Sequence, residues 1–198
     1  MNLFDKFNYF LILSRNIKFY MFGELQMREF DSIVKNTPRN KKRTYYVSSI
    51  PLVGINETLN KIIGIISDDT TLNIDDYISS DTYLTERSHI MNKLFELDNV
   101  TIIGGDYHYA EYYTFVKNDK MIKQIITSPI SSDAITLQSP LYEKIIFWLL
   151  TSLFYDRTIG NIAIDKEWTV FDYNYLKITY KNALLCCYDE SKSKYIDM

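Results

Sequence analysis

Val100-Thr101-Ile102-Ile103-Gly104-Gly105-Asp106-Tyr107-His108 says more about architecture than any other segment of this chain. Four β-prone residues without polar alternation have the pattern of a strand buried on both faces. The run opens directly into two glycines, which let the backbone turn sharply and come close to a neighbour or ligand. Ligand sites in open α/β sheets collect at the C-terminal ends of such strands. Asp106 and His108 stand two apart, and extended chain sends residues i and i+2 to the same side. A carboxylate and an imidazole can therefore meet one ion, and that donor pair suits zinc, iron or manganese better than calcium. The plainer reading of the same residues is a Gly-Gly-Asp turn with a packed histidine.

Upstream, the periodicity predicts a helix from Thr82 to Leu97, with Tyr83, Arg87, Ile90, Met91, Leu94 and Phe95 on its inner side. Another is predicted from Glu24 to Lys35, where Met27, Phe30 and Val34 share a face and Asn36-Thr37-Pro38 stops it. Residues 8–14 and Thr44–Ile50 read as strands, the second ended by Pro51. Thr58–Ile66 fits a short helix or a strand, and the polar stretch Ser67–Ser80 reads as a surface excursion.

Downstream, Tyr112–Lys117 and Met121–Thr127 read as a hairpin around Asn118-Asp119. Ser139 and Pro140 form a helix start, with Ser as cap and Pro in the first turn. That helix carries the apolar run 145–155, which is too short to span a bilayer and is predicted to be buried. Ile159–Tyr188 reads as a meander of short strands broken at Asn174 and at Lys181-Asn182. The order of helix, buried strand and glycine turn predicts an α/β layered sheet-and-helix domain with an antiparallel C-terminal strand meander, spanning 1–198 as a single domain.

A length of 198 residues with 46% hydrophobic and 24% charged residues suits one globular domain and argues against wholesale disorder. A net charge of −3 supplies no global basic field, so no nucleic-acid partner is expected. The cluster Arg39, Lys41, Lys42 and Arg43 reads as a solvated loop. Cys186 and Cys187 are adjacent, a geometry that disfavours a mutual disulfide, and reduced thiols suit an intracellular, cytoplasmic protein. Residues 7–13 are apolar but lack a cleavage site, so no signal peptide, transmembrane segment or membrane partner is expected.

Gly105-Asp106-Tyr107-His108-Tyr109-Ala110-Glu111 resembles the last metal motif of PhoD-like metallophosphatases, members of the calcineurin-like metallophosphoesterase superfamily. In that pattern a strand ends in Gly-Asp-x-His with an acidic residue three positions after the histidine. Further segments resemble the family in order: Gly23-Glu24-Leu25-Gln26, Tyr46-Val47-Ser48-Ser49-Ile50-Pro51-Leu52, Glu86-Arg87, Thr127-Ser128-Pro129-Ile130-Ser131 and Gly160-Asn161-Ile162-Ala163-Ile164-Asp165. The resemblance covers about residues 10–190. It implies a partial metallophosphoesterase-like fold and a divalent metal held in part by Asp106 and His108. It leaves Glu111 as either an outer group orienting His108 or an exposed strand residue. Arg87 becomes either a contact to a substrate phosphate or a structural ion pair.

The family holds two metals with three earlier motifs, Asp-x-His, Gly-Asp and Asn-His-Asp/Glu, which this chain lacks. With two histidines, His89 and His108, it is not expected to complete a binuclear centre alone. His89 reads as a surface or packed residue. Tyr107, Tyr109, Tyr112 and Tyr113 fit strand propensity as well as a stacking role. The resemblance thus implies a metal-dependent phosphoester hydrolase relative that is incomplete or inactive alone. It would work with a partner chain that supplies the N-terminal half. A non-catalytic interaction module, pairing with another chain or with itself, is the competing expectation. An intact hydrolase of another class lacks the Gly-x-Ser-x-Gly elbow and the phosphate-binding Gly-x-x-x-x-Gly-Lys loop. A decaying reading frame is the remaining alternative.

Overall fold

The computed structural model describes residues 22–39, 43–54, 83–105, 109–127, 141–172, 174–179 and 182–197. Helix α1 spans Glu24–Asn36. The Gln26 side chain accepts the Gly23 N–H at 3.1 Å and ties down the first turn. Helix α2 spans Leu84–Leu94 and helix α3 Leu141–Leu153. Strands β1 (Thr44–Val47), β2 (Val100–Gly104), β3 (Ala110–Lys117), β4 (Lys120–Ile126), β5 (Thr158–Ile159) and β6 (Ile162–Val170) form one mixed sheet in the order β1-β2-β4-β3-β6-β5. Strands β7 (Asn174–Ile178), β8 (Asn182–Cys187) and β9 (Lys194–Asp197) form a second, antiparallel sheet in sequence order.

The chain is therefore mixed α/β, as the pattern predicted. Strand β2 is parallel to both neighbours, β1 and β4, as a two-faced apolar run requires. Asn118 and Asp119 both adopt positive φ, which lets a two-residue turn join β3 to β4 with the right twist. The predicted C-terminal meander divides: β5 and β6 extend the large sheet beside β3, while β7, β8 and β9 make the small one.

Three layers result. Tyr46, Ile102, Ile122, Tyr113, Phe115 and Ile164 face the helices and meet Val34, Ile90, Met91 and Leu94 in the main core. The opposite face offers Ile125, Tyr112 and Trp168 to Ala183, Leu176 and Ile196 of the small sheet. Strand β6 serves both layers through a bulge. Lys166 opposes Tyr113 and Trp168 opposes Tyr112, which leaves Glu167 without an opposite residue. The extra residue reverses the pleat, so Ile162 and Ile164 point to the helix side and Trp168 and Val170 to the other.

Two expectations change. Strand β1 ends at Val47 rather than Ile50, because the chain then dives inward and Pro51 to Gly54 are buried. Helix α3 is not a buried helix: six of its large apolar side chains are 45–73% exposed, and among its described side chains Leu150 packs against the main core. His89 is half-exposed but not idle, since Nε2 lies 2.8 Å from the Asp31 carboxylate and links α2 to α1. Of the basic cluster, Arg43 donates to the Thr179 carbonyl at 3.0 Å and Arg39 lies 3.9 Å from Glu96. Lys41, Lys42, the predicted strand 8–14 and the stretches Thr58–Ile66 and Ser67–Ser80 lie outside the described residues.

The inward loop is held by one side chain. Gln124, fully buried on β4, accepts the N–H groups of Leu52 at 3.0 Å and Val53 at 3.1 Å and donates to the Val53 carbonyl at 2.6 Å. Removing it strands three polar backbone groups away from water. Gln124→Leu is expected to lower the unfolding free energy by about 3 kcal/mol, each buried unpaired group costing roughly 1–3 kcal/mol. Urea unfolding with a change below about 1 kcal/mol would contradict that role.

Candidate functional site at the sheet rim

The C-terminal ends of the parallel strands β1, β2 and β4 lie side by side. Ser48 N–H donates to the Ile103 carbonyl at 2.9 Å, and Thr127 N–H to the Gly104 carbonyl at 3.0 Å, extending the ladder to the rim. The chain leaves β2 at Gly104 and re-enters the sheet at Ala110, on the far side of β4. Strand order reverses here, the place where open sheets form ligand crevices.

Two segments singled out in the sequence meet at this rim. A Cβ built on Gly104 would lie 2.8 Å from Pro51 Cα, and one on Gly105 would lie 3.2 Å from the Ser49 carbonyl oxygen. Gly104 is thus required by close approach of the backbone after β1, rather than by an unusual φ. Asp106, Tyr107 and His108 lie outside the described residues, as do Ser128 to Ser131.

Glu111 is described, and it is not an exposed strand residue. It is fully buried beside the rim, paired with Ile126 of β4 and Thr169 of β6. Its carboxylate accepts the Tyr113 hydroxyl at 2.6 Å and the Thr169 hydroxyl at 3.1 Å, and forms an ion pair with Lys166, itself 5% exposed. The β6 bulge is what permits this, because Lys166 and Thr169 could not face the same side across a regular strand. Burial pushes the Glu111 carboxyl above its ordinary range, against the pull of Lys166, Tyr113 and Thr169. The same burial pushes the Lys166 ammonium down, against the pull of Glu111.

Arg87 and Glu86 are both buried on α2. The Arg87 guanidinium sits 3.0 Å from Asp156, just past α3, and the Glu86 carboxylate accepts the Phe22 N–H at 3.0 Å. The structural role considered for Arg87 therefore has a named partner. The tyrosines near the motif are packed: Tyr109 against Phe171, Tyr112 stacked on Trp168, and Tyr113 edge-on to Tyr155. On the small-sheet side, Thr127 donates to Asn174, which in turn donates to the Asp172 carbonyl, tying the end of β4 to β7.

Lys166, Thr169 and Asp156 escaped the sequence reading. Lys166 had left a trace, since it falls two residues after Ile164 and four after Ile162, on the inward side of an otherwise apolar alternation. Thr169 and Asp156 leave none, because a bulge fixes the partner of the first and an ion pair about seventy residues away in sequence that of the second.

Comparison with family models, curated proteins and solved structures finds no match to this chain. Among the described residues, no group of three or more His, Cys, Asp or Glu side chains is placed to hold a metal ion. The described part of the rim, with Glu111 committed to three donors, does not by itself fit a metal. It offers a rigid carboxylate–ammonium–hydroxyl cluster instead. No described helix is long and apolar enough to cross a membrane.

Two outcomes are expected from the buried cluster. Lys166→Met should cost about 3–5 kcal/mol, as breaking a buried pair leaves an uncompensated charge. The Lys166→Met/Glu111→Leu double variant should recover much of that in urea unfolding; full additivity would show that the two do not interact. The pH dependence has a definite sign. With its folded pKa raised, Glu111 keeps its proton in the native state above the pH where the unfolded chain has lost it. Its contribution to stability is fullest below the ordinary glutamate value and declines as pH climbs through the raised one. Glu111→Gln should remove that declining component from a pH series of unfolding free energies, and superimposable profiles would count against it.

Proposed function

We propose that this chain is a metallophosphatase-like protein, related to metal-dependent phosphoester hydrolases, that is incomplete or inactive alone. The observation supporting this most strongly is the contact of Pro51 with Gly104. It joins the segments Tyr46–Leu52 and Ile103–His108, each of which resembles the PhoD-like pattern, at the rim where α/β sheets build their sites. In this reading Asp106 and His108 supply two ligands to a zinc, iron or manganese ion. A partner chain supplies the rest, and a phosphoester is the substrate once the site is complete. Glu111 acts through the stiffness of the rim, its carboxylate being spent on Lys166, Tyr113 and Thr169. Arg87 holds α2 to Asp156 and keeps a phosphate-contact role only if that pair opens.

The test is metal content after purification and equilibration with divalent metal. Wild type should retain metal at up to one ion per chain, and His108→Ala and Asp106→Ala should each lose most of it while keeping the native circular dichroism. Equal metal in wild type and both variants would remove the proposal. Hydrolysis of a phosphodiester by the chain alone should be near background.

One observation favours a second reading. The exposed apolar face of α3 is what an interaction module that pairs with another chain would present.

A further inference from the structure

The large sheet ends differently on its two sides. Strand β5, at one edge, is two residues long, and so short an edge offers another strand little to pair with. Strand β1, at the other, has none of the usual protections. Thr44-Tyr45-Tyr46-Val47 carries no charge, no proline and no bulge, and its Tyr45 and Val47 side chains are exposed. Thr44 N–H donates to the Asn99 carbonyl and Ser48 N–H to the Ile103 carbonyl, so alternate residues face β2. Tyr45 and Val47 therefore aim their N–H and C=O groups the other way, where no described strand lies.

The helices say which segment belongs there. Helices α1 and α2 pack on the same face of the sheet, through Val34 on one and Ile90, Met91 and Leu94 on the other. They also run the same way. Phe22 N–H, just before α1, donates to the Glu86 carboxylate in the first turn of α2, and Arg39, beyond α1, lies 3.9 Å from Glu96, beyond α2. Helix α2 leads from the rim end of β1 back to the start of β2, so α1 likewise starts at the rim and leads back to the start of β1. A strand that ends at the rim, parallel to β1, is what feeds a helix entering there. Crossovers between parallel strands are almost always right-handed. Two crossovers of one hand on one face step across the sheet in one direction. From β1 to β2 is one step, so the strand before α1 lies one step back, on the open side of β1.

The stretch 8–14, outside the described residues, has the sequence for that place. Asn8-Tyr9-Phe10-Leu11-Ile12-Leu13-Ser14 holds a continuous apolar run, the pattern of a strand in a parallel sheet. Seven residues, 15–21, separate it from Phe22. At roughly 3.3 Å each they reach about 23 Å, enough to climb from a sheet to the helix layer on it.

We propose that residues 8–14 form the edge strand of the large sheet, parallel to β1 and paired with Tyr45 and Val47. The inference rests on the fold and is independent of whether the rim binds a metal. It brings Ser14 and Arg15 to the rim end of the sheet. It also closes the β1 edge to strand addition, so a partner that completes the rim approaches over the strand ends.

The test is nuclear magnetic resonance on the full chain. Amide–amide Overhauser contacts should link residues 8–14 to Thr44–Ser48 in the order of a parallel pair. The Tyr45 and Val47 amides should exchange with deuterium on the order of 100-fold more slowly than an open edge allows. Leu11→Pro and Ile12→Pro change adjacent residues, so one of them removes an N–H aimed at β1. That variant should return Tyr45 and Val47 to fast exchange while Tyr46 and Ile102, bonded within the described sheet, stay protected.

Fast exchange of Tyr45 and Val47 in wild type overturns the proposal, as do contacts from this edge to any segment other than 8–14. Contacts found only between labelled and unlabelled copies overturn it in favour of a second copy on the edge. If both proline variants lose protection at Ile102 as well, the wild-type contacts alone decide, and their absence between 8–14 and 44–48 overturns it.

Discussion

One amide side chain holds the rim of this molecule in place. Gln124 stands on β4, with β2 on one side and β3 on the other, and spends its oxygen and its nitrogen on the backbone at Leu52 and Val53. Buried backbone is tolerable only when its polar groups are paired. Without that glutamine the loop after β1 would need water and would lift away from the sheet. With it, Pro51 lies close against Gly104, and the ends of β1 and β2 become one surface. A hydrophobic core of similar area would bury the loop but would not fix its height.

The buried pair of Glu111 and Lys166 does something different. A salt bridge inside a protein adds little net stability, because desolvation of both groups consumes the Coulombic gain. What it adds is a demand on geometry. Tyr113, Thr169 and Lys166 must all reach one carboxylate, and they do so only if β3 and β6 keep a register that includes the bulge. The cluster therefore discriminates against a slipped pairing, in which the same apolar residues would still be buried but the carboxylate would be alone.

Much of the fold could be read from local chemistry. Helix α1 followed from the spacing of Met27, Phe30 and Val34, and β2 from an apolar run closed by glycines. The turn at Asn118-Asp119 followed from two residues that tolerate positive φ. Local chemistry failed where partners are remote in sequence. Nothing near Thr44–Ile50 announces that Gln124, about seventy residues on, draws the chain inward after Val47. The apolar run in α3 was read as core because periodicity reports that a face is apolar, not what covers it. Of the rim, Gly104 and Gly105 were legible as a point of close approach. The surroundings of Glu111 were not, since they depend on a pleat reversal one residue long. Asp106 and His108 stand as sequence expectations beside that described framework.

The bulge at Glu167 has a consequence for how this chain tolerates change in length. Along most strands an inserted or deleted residue is catastrophic, since every side chain beyond it trades inside for outside. Here the reversal is already built in, and the two halves of β6 answer to different layers. Losing Glu167 would only close the bulge and leave Lys166 and Thr169 toward the helices and Trp168 and Val170 toward the small sheet, whereas losing a residue elsewhere in the strand would exchange them. At this one position a codon can be dropped without trading one interior for the other.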